Sequence, residues 1–356
     1  MLFGYPLAAT LNNWVHDCFV ESVRNIHTLA NARKRYPEWP DILPENLRLK
    51  LKLRTGLRDR LKTYNSVIRK LSKEERSLVL KALEDATYIA EILDGSRDCA
   101  AVGDMPESIR ASIDSLFGFG FSLLTEFGVR DEHYAIIYAA SDPDYICPFC
   151  GTEYFDAPSA PREDLDHYLA ISRYPFAGVN LRNLVPMGHK CNSTYKHSRD
   201  VIRDANGVRR TALDPYNHAT ISLVLDDSNP FNGSTENTPA WNIEFTPNLP
   251  GIPAWDDVFR IRERYSRDHL DPNFSAWLKN FGSWVRISNV LVDTDQALVD
   301  ALKEYESIWS DSGIQDRAFL KSAVFRMLRK HCEAGHQRLI SQLRDLVQPI
   351  KIHVVE

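Results

Sequence analysis

The sequence predicts a mainly α-helical protein with a small α+β core near its middle. Apolar residues recur at helical spacing over residues 8–33 and 45–71, and again in long segments after Asp256. Between these helical stretches lie short apolar segments interrupted by proline and glycine. Two segments in which apolar and polar residues alternate then follow. The pattern divides the chain into a helical N-terminal region at 1–140, a central module at 141–210, and a C-terminal region at 211–356 with a short β-hairpin followed by helices.

One helix of the N-terminal region carries clear end signals. In "LSKEERSLVLKALEDATYIAEILDG", Ser72 is placed to be the N-cap and Glu75 to complete a capping box. Gly95 follows the last apolar position, where a left-handed residue commonly ends a helix. We therefore expect a helix that runs from just after Ser72 to just before Gly95.

The C-terminal region begins with two predicted strands. "ALDPYNHATISLVLDD" and "AWNIEFTP" alternate and are rich in β-branched and aromatic residues. The segment between them, "DDSNPFNGSTENTP", consists of turn-forming residues and predicts a turn or a mobile loop. Helical patterns return from Asp256 onward.

Composition limits the classes of protein to consider. The net charge of −5 gives no global basic excess, so local charge has to indicate any nucleic-acid binding. The N-terminus has no basic residue before its apolar part, unlike a secretory signal, and no apolar run reaches the roughly 18–20 residues of a membrane span. Six cysteines are too few for a disulfide scaffold of this length. These features predict a soluble cytoplasmic protein.

Two cysteines in the central module have metal-binding spacing. Cys147 and Cys150 form a CxxC pair followed by Gly151, which suits a knuckle that holds one tetrahedral zinc ion through two thiolates. Cys191 lies further along the module. The alternative is that these are three reduced cysteines packed as small apolar groups.

The order of motifs in the module resembles a known nuclease family. "CPFCG", then "DLDHYLAISRYP", then "NLRNLVPMGHKCNSTYK" is similar to the HNH endonucleases, the ββα-metal superfamily, in their zinc-clipped form. The resemblance covers about residues 144–204. It implies two antiparallel strands joined by a loop and followed by a helix, clamped around one divalent ion. On the matching positions, His167 would be the general base, Asp166 and Asn192 would ligate the catalytic metal, and Asn183 would brace the loop that orients His167.

The chemistry of phosphodiester hydrolysis agrees with these assignments. A neutral histidine can take a proton from water near pH 7. A carboxylate and an amide oxygen, from Asp166 and Asn192, suit Mg²⁺ or Mn²⁺ and leave positions open for phosphate and water. Lys196, one turn after Asn192, would offset charge on a non-bridging phosphate oxygen. A predicted helix over 191–204 would point the positive end of its dipole at the phosphate.

The sequence leaves the fourth zinc ligand open. Zinc-clipped relatives often have a second CxxC, and its first cysteine would fall at position 188, where this chain has Gly188. His189 directly follows Gly188, and histidine is a common zinc ligand. It is therefore our candidate for the fourth ligand beside Cys147, Cys150 and Cys191.

Basic residues are concentrated in one early segment. Between Asn46 and Lys73 there are ten lysines and arginines against the single acid Asp59. A second basic cluster follows the motif at the end of the module and consists of Arg199, Arg203, Arg209 and Arg210. A solvated helix face is the alternative, but we predict a surface that contacts phosphates without reading bases. The residues assigned to it are Arg48, Lys50, Lys52, Arg54, Arg199 and Arg203.

The sequence therefore predicts a metal-dependent HNH endonuclease that acts on nucleic acid, with DNA favoured over RNA. Freestanding HNH proteins with helical extensions resemble effectors of bacterial anti-phage defence, which often work beside an ATPase. The resemblance thus implies a partner such as an ATPase subunit, or self-association, and no membrane. The alternatives are an RNA-cleaving HNH effector and a non-catalytic, zinc-stabilised nucleic-acid-binding or scaffold protein.

Overall fold

The computed structural model describes residues 1–160 and 165–347. Within these residues the fold is mainly α-helical with three small two-stranded sheets, which confirms the predicted fold class. The chain forms two compact units. The first comprises Met1, Phe3–Ala219 and Pro250–Phe259, and the second comprises Leu2, Thr220–Leu249 and the residues from Arg260 onward. The N-terminal helices and the central module thus belong to one compact unit.

Seven α-helices precede the central module. Helix α3 packs against α6, and α1 packs against α3, α4 and α6, because each presents an apolar stripe to the others. The helices are α1 (Trp14–Asn31), α2 (Arg48–Leu51), α3 (Thr55–Ile68), α4 (Lys73–Asp85), α5 (Ile89–Asp94), α6 (Glu107–Glu126) and α7 (Val129–Ala140).

The predicted capping box is present at the start of α4. The Glu75 amide donates to Ser72 Oγ at 3.1 Å, and the Ser72 amide donates to the Glu75 carboxylate at 2.7 Å. The predicted single helix from Ser72 to Gly95 is wrong, because the chain leaves helical geometry at Tyr88. The Thr87 hydroxyl donates to the Glu84 carbonyl at 2.7 Å and competes with the helical hydrogen bond there. Gly95, with φ of 87°, therefore ends α5 rather than α4.

The central module is a β-hairpin followed by one short helix. Strands β1 (Leu165–His167) and β2 (Leu184–Pro186) pair antiparallel, with His167 opposite Leu184. A π-helix at Lys190–Lys196 follows. The predicted helix over 191–204 is too long, because His197 has a left-handed φ of 44° that ends the helix.

Helix α6 packs closely on the loop that joins β1 and β2. A Cβ at Gly120 would lie 2.5 Å from Val179 Cγ1 and 2.8 Å from Phe19 Cε1, so only glycine permits this approach. The next residue, Phe121, places its ring 4.6 Å from the His167 ring. Helix α8 (Ile252–Phe259) covers the cysteine segment, where Trp255 Nε1 donates to the Phe149 carbonyl at 2.9 Å.

Up to residue 347, the second unit contains two small sheets and five further α-helices. Strands β3 (Ser222–Val224) and β6 (Glu244–Thr246) pair antiparallel, as predicted. The segment predicted as a turn or loop contains a second hairpin, formed by β4 (Asn229–Asn232) and β5 (Pro239–Ala240). The polar, turn-rich sequence of this segment does not predict the strands, because it lacks the alternation of apolar and polar residues typical of a strand. Main-chain hydrogen bonding forms them instead.

The helices of the second unit pack around an aromatic cluster. The cluster consists of Phe281, Tyr305 and Phe325. The ring centres of Tyr305 and Phe325 are 4.6 Å apart. No helix in residues 1–160 or 165–347 is both long enough and apolar enough to cross a membrane. The helices are α9 (Ile261–Arg264), α10 (Asp271–Ile287), α11 (Asp295–Asp311), α12 (Ala318–Glu333) and α13 (Gln337–Val347), with a π-helix at Tyr265–Leu270.

Candidate functional site

Three cysteine sulfurs meet inside the first unit. The Sγ atoms of Cys147, Cys150 and Cys191 all lie within 4.8 Å of one another, and each residue is fully buried with a free thiol. Sulfur ligands of one tetrahedral zinc ion are separated by about 3.8 Å, given Zn–S bonds of about 2.3 Å. The fold therefore brings Cys191 to the Cys147–Cys150 pair, from which it is far apart in sequence, in an arrangement that could hold a metal ion.

Burial controls the protonation of these thiols. It raises the pKa of Cys147 and of Cys191 well above that of an ordinary thiol, and the neighbouring cysteines raise the pKa of Cys191 further. Without a metal Cys147 and Cys191 are therefore neutral thiols at pH 7. A bound cation would stabilise the thiolates, so metal binding would release protons.

The candidate fourth ligand from the sequence lies elsewhere. His189 is exposed at the N-cap of the π-helix and is not among the clustered ligand atoms of the described residues. The carboxylate of Glu153 contacts one of the thiols, with Oε2 3.7 Å from Cys150 Sγ, although it too lies outside the group of ligand atoms within 4.8 Å of one another. Glu153 is not among the site residues predicted from the sequence. Its position three residues after Cys150 could have indicated that its carboxylate lies near the thiols.

The His167 ring is oriented by a backbone carbonyl. Nε2 lies 2.9 Å from the Gly178 carbonyl oxygen. Because a carbonyl can only accept, Nε2 carries the proton, and Nδ1 of the neutral ring carries the lone pair. Burial lowers the pKa of His167 to about 4, and the nearby cations Lys196 and Arg130 contribute in the same direction. The ring is therefore a neutral base at pH 7.

Asn183 fastens the loop that carries Gly178. Its Oδ1 accepts from the Leu169 amide at 2.6 Å, and its Nδ2 donates to the carbonyls of Leu169 at 3.0 Å and Ala177 at 3.2 Å. The side chain is fully buried. These bonds join both ends of the β1–β2 loop and fix the position of the carbonyl that orients His167.

Lys196 lies deeper than a phosphate-binding lysine would. Its side chain is 1% exposed, and Nζ lies 2.7 Å from Asp166 Oδ2 and donates to the His167 carbonyl at 2.8 Å. The ammonium thus ties the π-helix to β1. Asn192 is partly exposed on the same π-helix, one turn before Lys196.

Most residues of the predicted phosphate-binding surface make internal contacts. Arg48 pairs with Asp41 at 3.1 Å, and Arg54 pairs with Glu126. Lys52 is exposed.

The remaining three cations also contact the protein. Lys50 Nζ lies 3.7 Å from the centre of the Trp14 ring, and Arg203 pairs with Asp98 at 2.9 Å. Arg199 donates to the Asp257 carbonyl at 3.2 Å. Such contacts leave the charges near the surface but reduce their freedom to reach phosphates.

No protein-family model, no curated protein and no solved structure matches this chain.

Proposed function

We propose that this chain is a metal-dependent endonuclease of the HNH type that hydrolyses phosphodiester bonds in nucleic acid, with DNA favoured over RNA. One observation carries the proposal. His167 directly follows Asp166 on β1, and its ring is oriented by Gly178 in a loop that Asn183 holds at both ends. A histidine with only a structural role would not need both the Gly178 carbonyl and the Asn183 side chain to fix the position of its Nε2 atom.

The proposed reaction begins with His167. Nε2–H is engaged with the Gly178 carbonyl, so Nδ1 takes the proton from the attacking water. Burial keeps the ring neutral at pH 7, so Nδ1 has a free lone pair. The Lys196 ammonium would favour the neutral ring over the imidazolium and would hold Asp166 and the His167 main chain in place. Lys196 is therefore proposed as a positioning residue rather than a phosphate ligand.

Asp166 and Asn192 would hold the catalytic Mg²⁺ or Mn²⁺. Their hard oxygen donors fit such an ion, and Asp166 offers two carboxylate oxygens, of which Oδ2 contacts Lys196. A bound ion would supply charge stabilisation at the phosphate and at the leaving 3′ oxygen. The proposed structural ion is Zn²⁺ at the three cysteines, which would stay reduced in the cytoplasm.

A protein partner is also part of the proposal. Leu49 and Leu53 are 79% and 81% exposed and lie among the lysines of the basic segment. Alternating exposed leucines and lysines suit contact with a partner, such as an ATPase subunit or a second copy, as well as with nucleic acid. An anti-phage role remains part of this proposal.

The test is a cleavage assay with plasmid DNA, linear DNA and tRNA, in Mg²⁺, in Mn²⁺ and in EDTA. We expect cleavage of DNA that requires metal and is lost in His167→Ala. His197→Ala is the control, because the ring of this exposed histidine at the end of the π-helix lies beside the Ser198 hydroxyl. Its contact with Asn192 is made by the main-chain amide, which the variant keeps. Equal activity of wild type and His167→Ala would refute the general-base role. Cleavage of tRNA alone would favour an RNA-directed enzyme, and binding without cleavage would favour a scaffold.

A further inference from the structure

We propose that Glu153 completes the zinc site as its fourth ligand, through its carboxylate. Three thiolates leave one corner of a tetrahedral zinc site empty. The proposal concerns the structural ion only, so it stands whether or not the chain is a nuclease. A Cys₃Glu site would take Zn²⁺, which accepts both thiolate and carboxylate ligands.

The backbone brings Glu153 back to the first two cysteines. Ile146 bridges Tyr154 antiparallel, and the Cys147 amide donates to the Glu153 carbonyl at 2.7 Å. The segment between them is therefore a tight turn that contains Cys150. As a result, the Glu153 side chain leaves the turn on the same side as the thiols.

Two main-chain amides hold the carboxylate beside the sulfurs. The Lys190 amide donates to Oε1 at 2.9 Å, and the Cys191 amide donates to Oε2 at 3.3 Å. Oε2 lies 3.7 Å from Cys150 Sγ. Around one zinc ion, a sulfur and an oxygen ligand are separated by about 3.6 Å, so this one distance matches an edge of the coordination tetrahedron. The carboxylate lies outside the group of ligand atoms within 4.8 Å of one another, so it has to turn toward the other two sulfurs when it binds the ion.

Gly188 explains why a carboxylate can reach this corner. It lies three residues before Cys191, where a cysteine would repeat the spacing of Cys147 and Cys150. A Cβ on Gly188 would lie 2.7 Å from Glu153 Oε2 and 2.8 Å from Glu153 Cδ. The carboxylate therefore occupies the space that a side chain at position 188 would fill. The Gly188 amide also donates to Cys147, which places this glycine against the cluster.

The experiment measures zinc content, zinc affinity and the visible spectrum of the cobalt-substituted protein, using the full chain. We expect Glu153→Ala to lower zinc affinity by more than about 100-fold, beyond the usual effect of a residue that only orients a ligand. His189→Ala is the matched control and should bind zinc as wild type does. Loss of zinc in His189→Ala with retention in Glu153→Ala would overturn the proposal.

Two further variants separate a ligand from a group that only accepts the two amide hydrogen bonds. Glu153→Gln keeps an acceptor oxygen but is a poor zinc ligand, so we expect weakened zinc binding with the fold retained in circular dichroism. Glu153→Ala combined with Gly188→Cys removes the acceptor and adds a thiolate. We expect it to recover zinc affinity and to raise the thiolate-to-cobalt absorption by about one third, from three thiolates to four. Wild-type affinity in Glu153→Gln, or no recovery in the double variant, would show that Glu153 is not a ligand.

Discussion

At the residue scale, the site contains an ammonium group that is almost fully withdrawn from water. The Lys196 side chain is 1% exposed, and its partner Asp166 is 16% exposed. The cost of removing both charges from water is offset by their mutual attraction and by the hydrogen bond to the His167 carbonyl. This balance holds only while both charges are present.

Removal of the Lys196 charge should therefore be strongly destabilising. We expect Lys196→Met to lower the free energy of unfolding by about 3–5 kcal/mol, because it leaves the Asp166 carboxylate without its cation. Lys196→Met combined with Asp166→Asn should cost less, because neither charge remains. Urea denaturation followed by circular dichroism gives these values. Lys190→Met, at an exposed lysine of the same π-helix, should change stability by no more than about 0.5 kcal/mol.

Two buried histidines away from the thiols should make the protein sensitive to acid. Burial lowers the pKa of His16 and of His27 to about 4, and His27 Nε2 lies 3.0 Å from the Tyr64 hydroxyl. In the unfolded chain both histidines would bind a proton near pH 6.5, whereas in the folded protein they stay neutral until about pH 4. The stability that these two neutral side chains contribute is therefore fully present above pH 6.5. It is lost as the pH falls toward 4.

We expect His27→Gln to flatten this acid sensitivity. The shift of the His27 pKa corresponds to about 3 kcal/mol between pH 6.5 and pH 4. Thermal unfolding of wild type and His27→Gln across this range would measure it. The variant should be less stable at pH 7.5 and lose less stability on acidification. Parallel curves for the two proteins would contradict the role of His27.

At the element scale, the contact between α6 and the β1–β2 loop positions His167, the proposed general base. Gly120 lets the loop approach the helix, and Phe121 packs against the His167 ring. Val179, which faces Gly120, directly follows the residue whose carbonyl orients that ring. A small displacement at this contact would therefore reach His167.

Two glycines of α6 provide a matched test of this contact. We expect Gly120→Ala to lower the free energy of unfolding by about 1–3 kcal/mol, because its methyl group overlaps Val179 and Phe19. It should also reduce nuclease activity. Gly118→Ala meets nothing within 4 Å and should stabilise the helix by about 0.5–1 kcal/mol, with activity unchanged. Thermal unfolding and the plasmid assay measure both effects, and equal behaviour of the two variants would rule out the proposed close contact.

At the scale of the whole molecule, the basic segment of the first unit combines exposed and ion-paired cations. Lys52 and Lys62 are exposed, whereas Arg48 and Arg54 pair with acids. Free charges release more counterions on meeting phosphate than charges already engaged in the protein. The two groups should therefore differ in their contribution to nucleic-acid binding.

We expect Lys52→Glu with Lys62→Glu to weaken DNA binding for all sequences. The log–log slope of affinity against salt should fall in magnitude by about 0.7–0.9 for each phosphate that the variant no longer neutralises. Arg48→Gln with Arg54→Gln should change the slope less. Fluorescence anisotropy over a salt series measures the slopes. An unchanged slope in the lysine variant, with loss of a co-purifying protein, would indicate instead that the segment is a protein interface.

Much of the fold class and of the site's composition can be predicted from the sequence. Helical periodicity and the Ser72–Glu75 capping box are local signals, and the structure bears them out. The spacing of Cys147 and Cys150 also predicts a metal site, because a tight turn can bring a CxxC pair to one ion. The helical inferences succeed because neighbours in sequence determine them, and the metal site at these cysteines stays a prediction.

Only the tertiary structure decided the features that depend on distant segments. Three features depend on how the CxxC turn, the β-hairpin and the π-helix pack together. They are the approach of Cys191 to the other thiols, the place of Glu153 opposite Gly188, and the burial of Lys196 beside Asp166. No local pattern encodes these contacts, because each depends on the space left by residues far away in the chain. For the same physical reason, a sequence can name the ligand types of a site but not select which nearby carboxylate or histidine fills its last position.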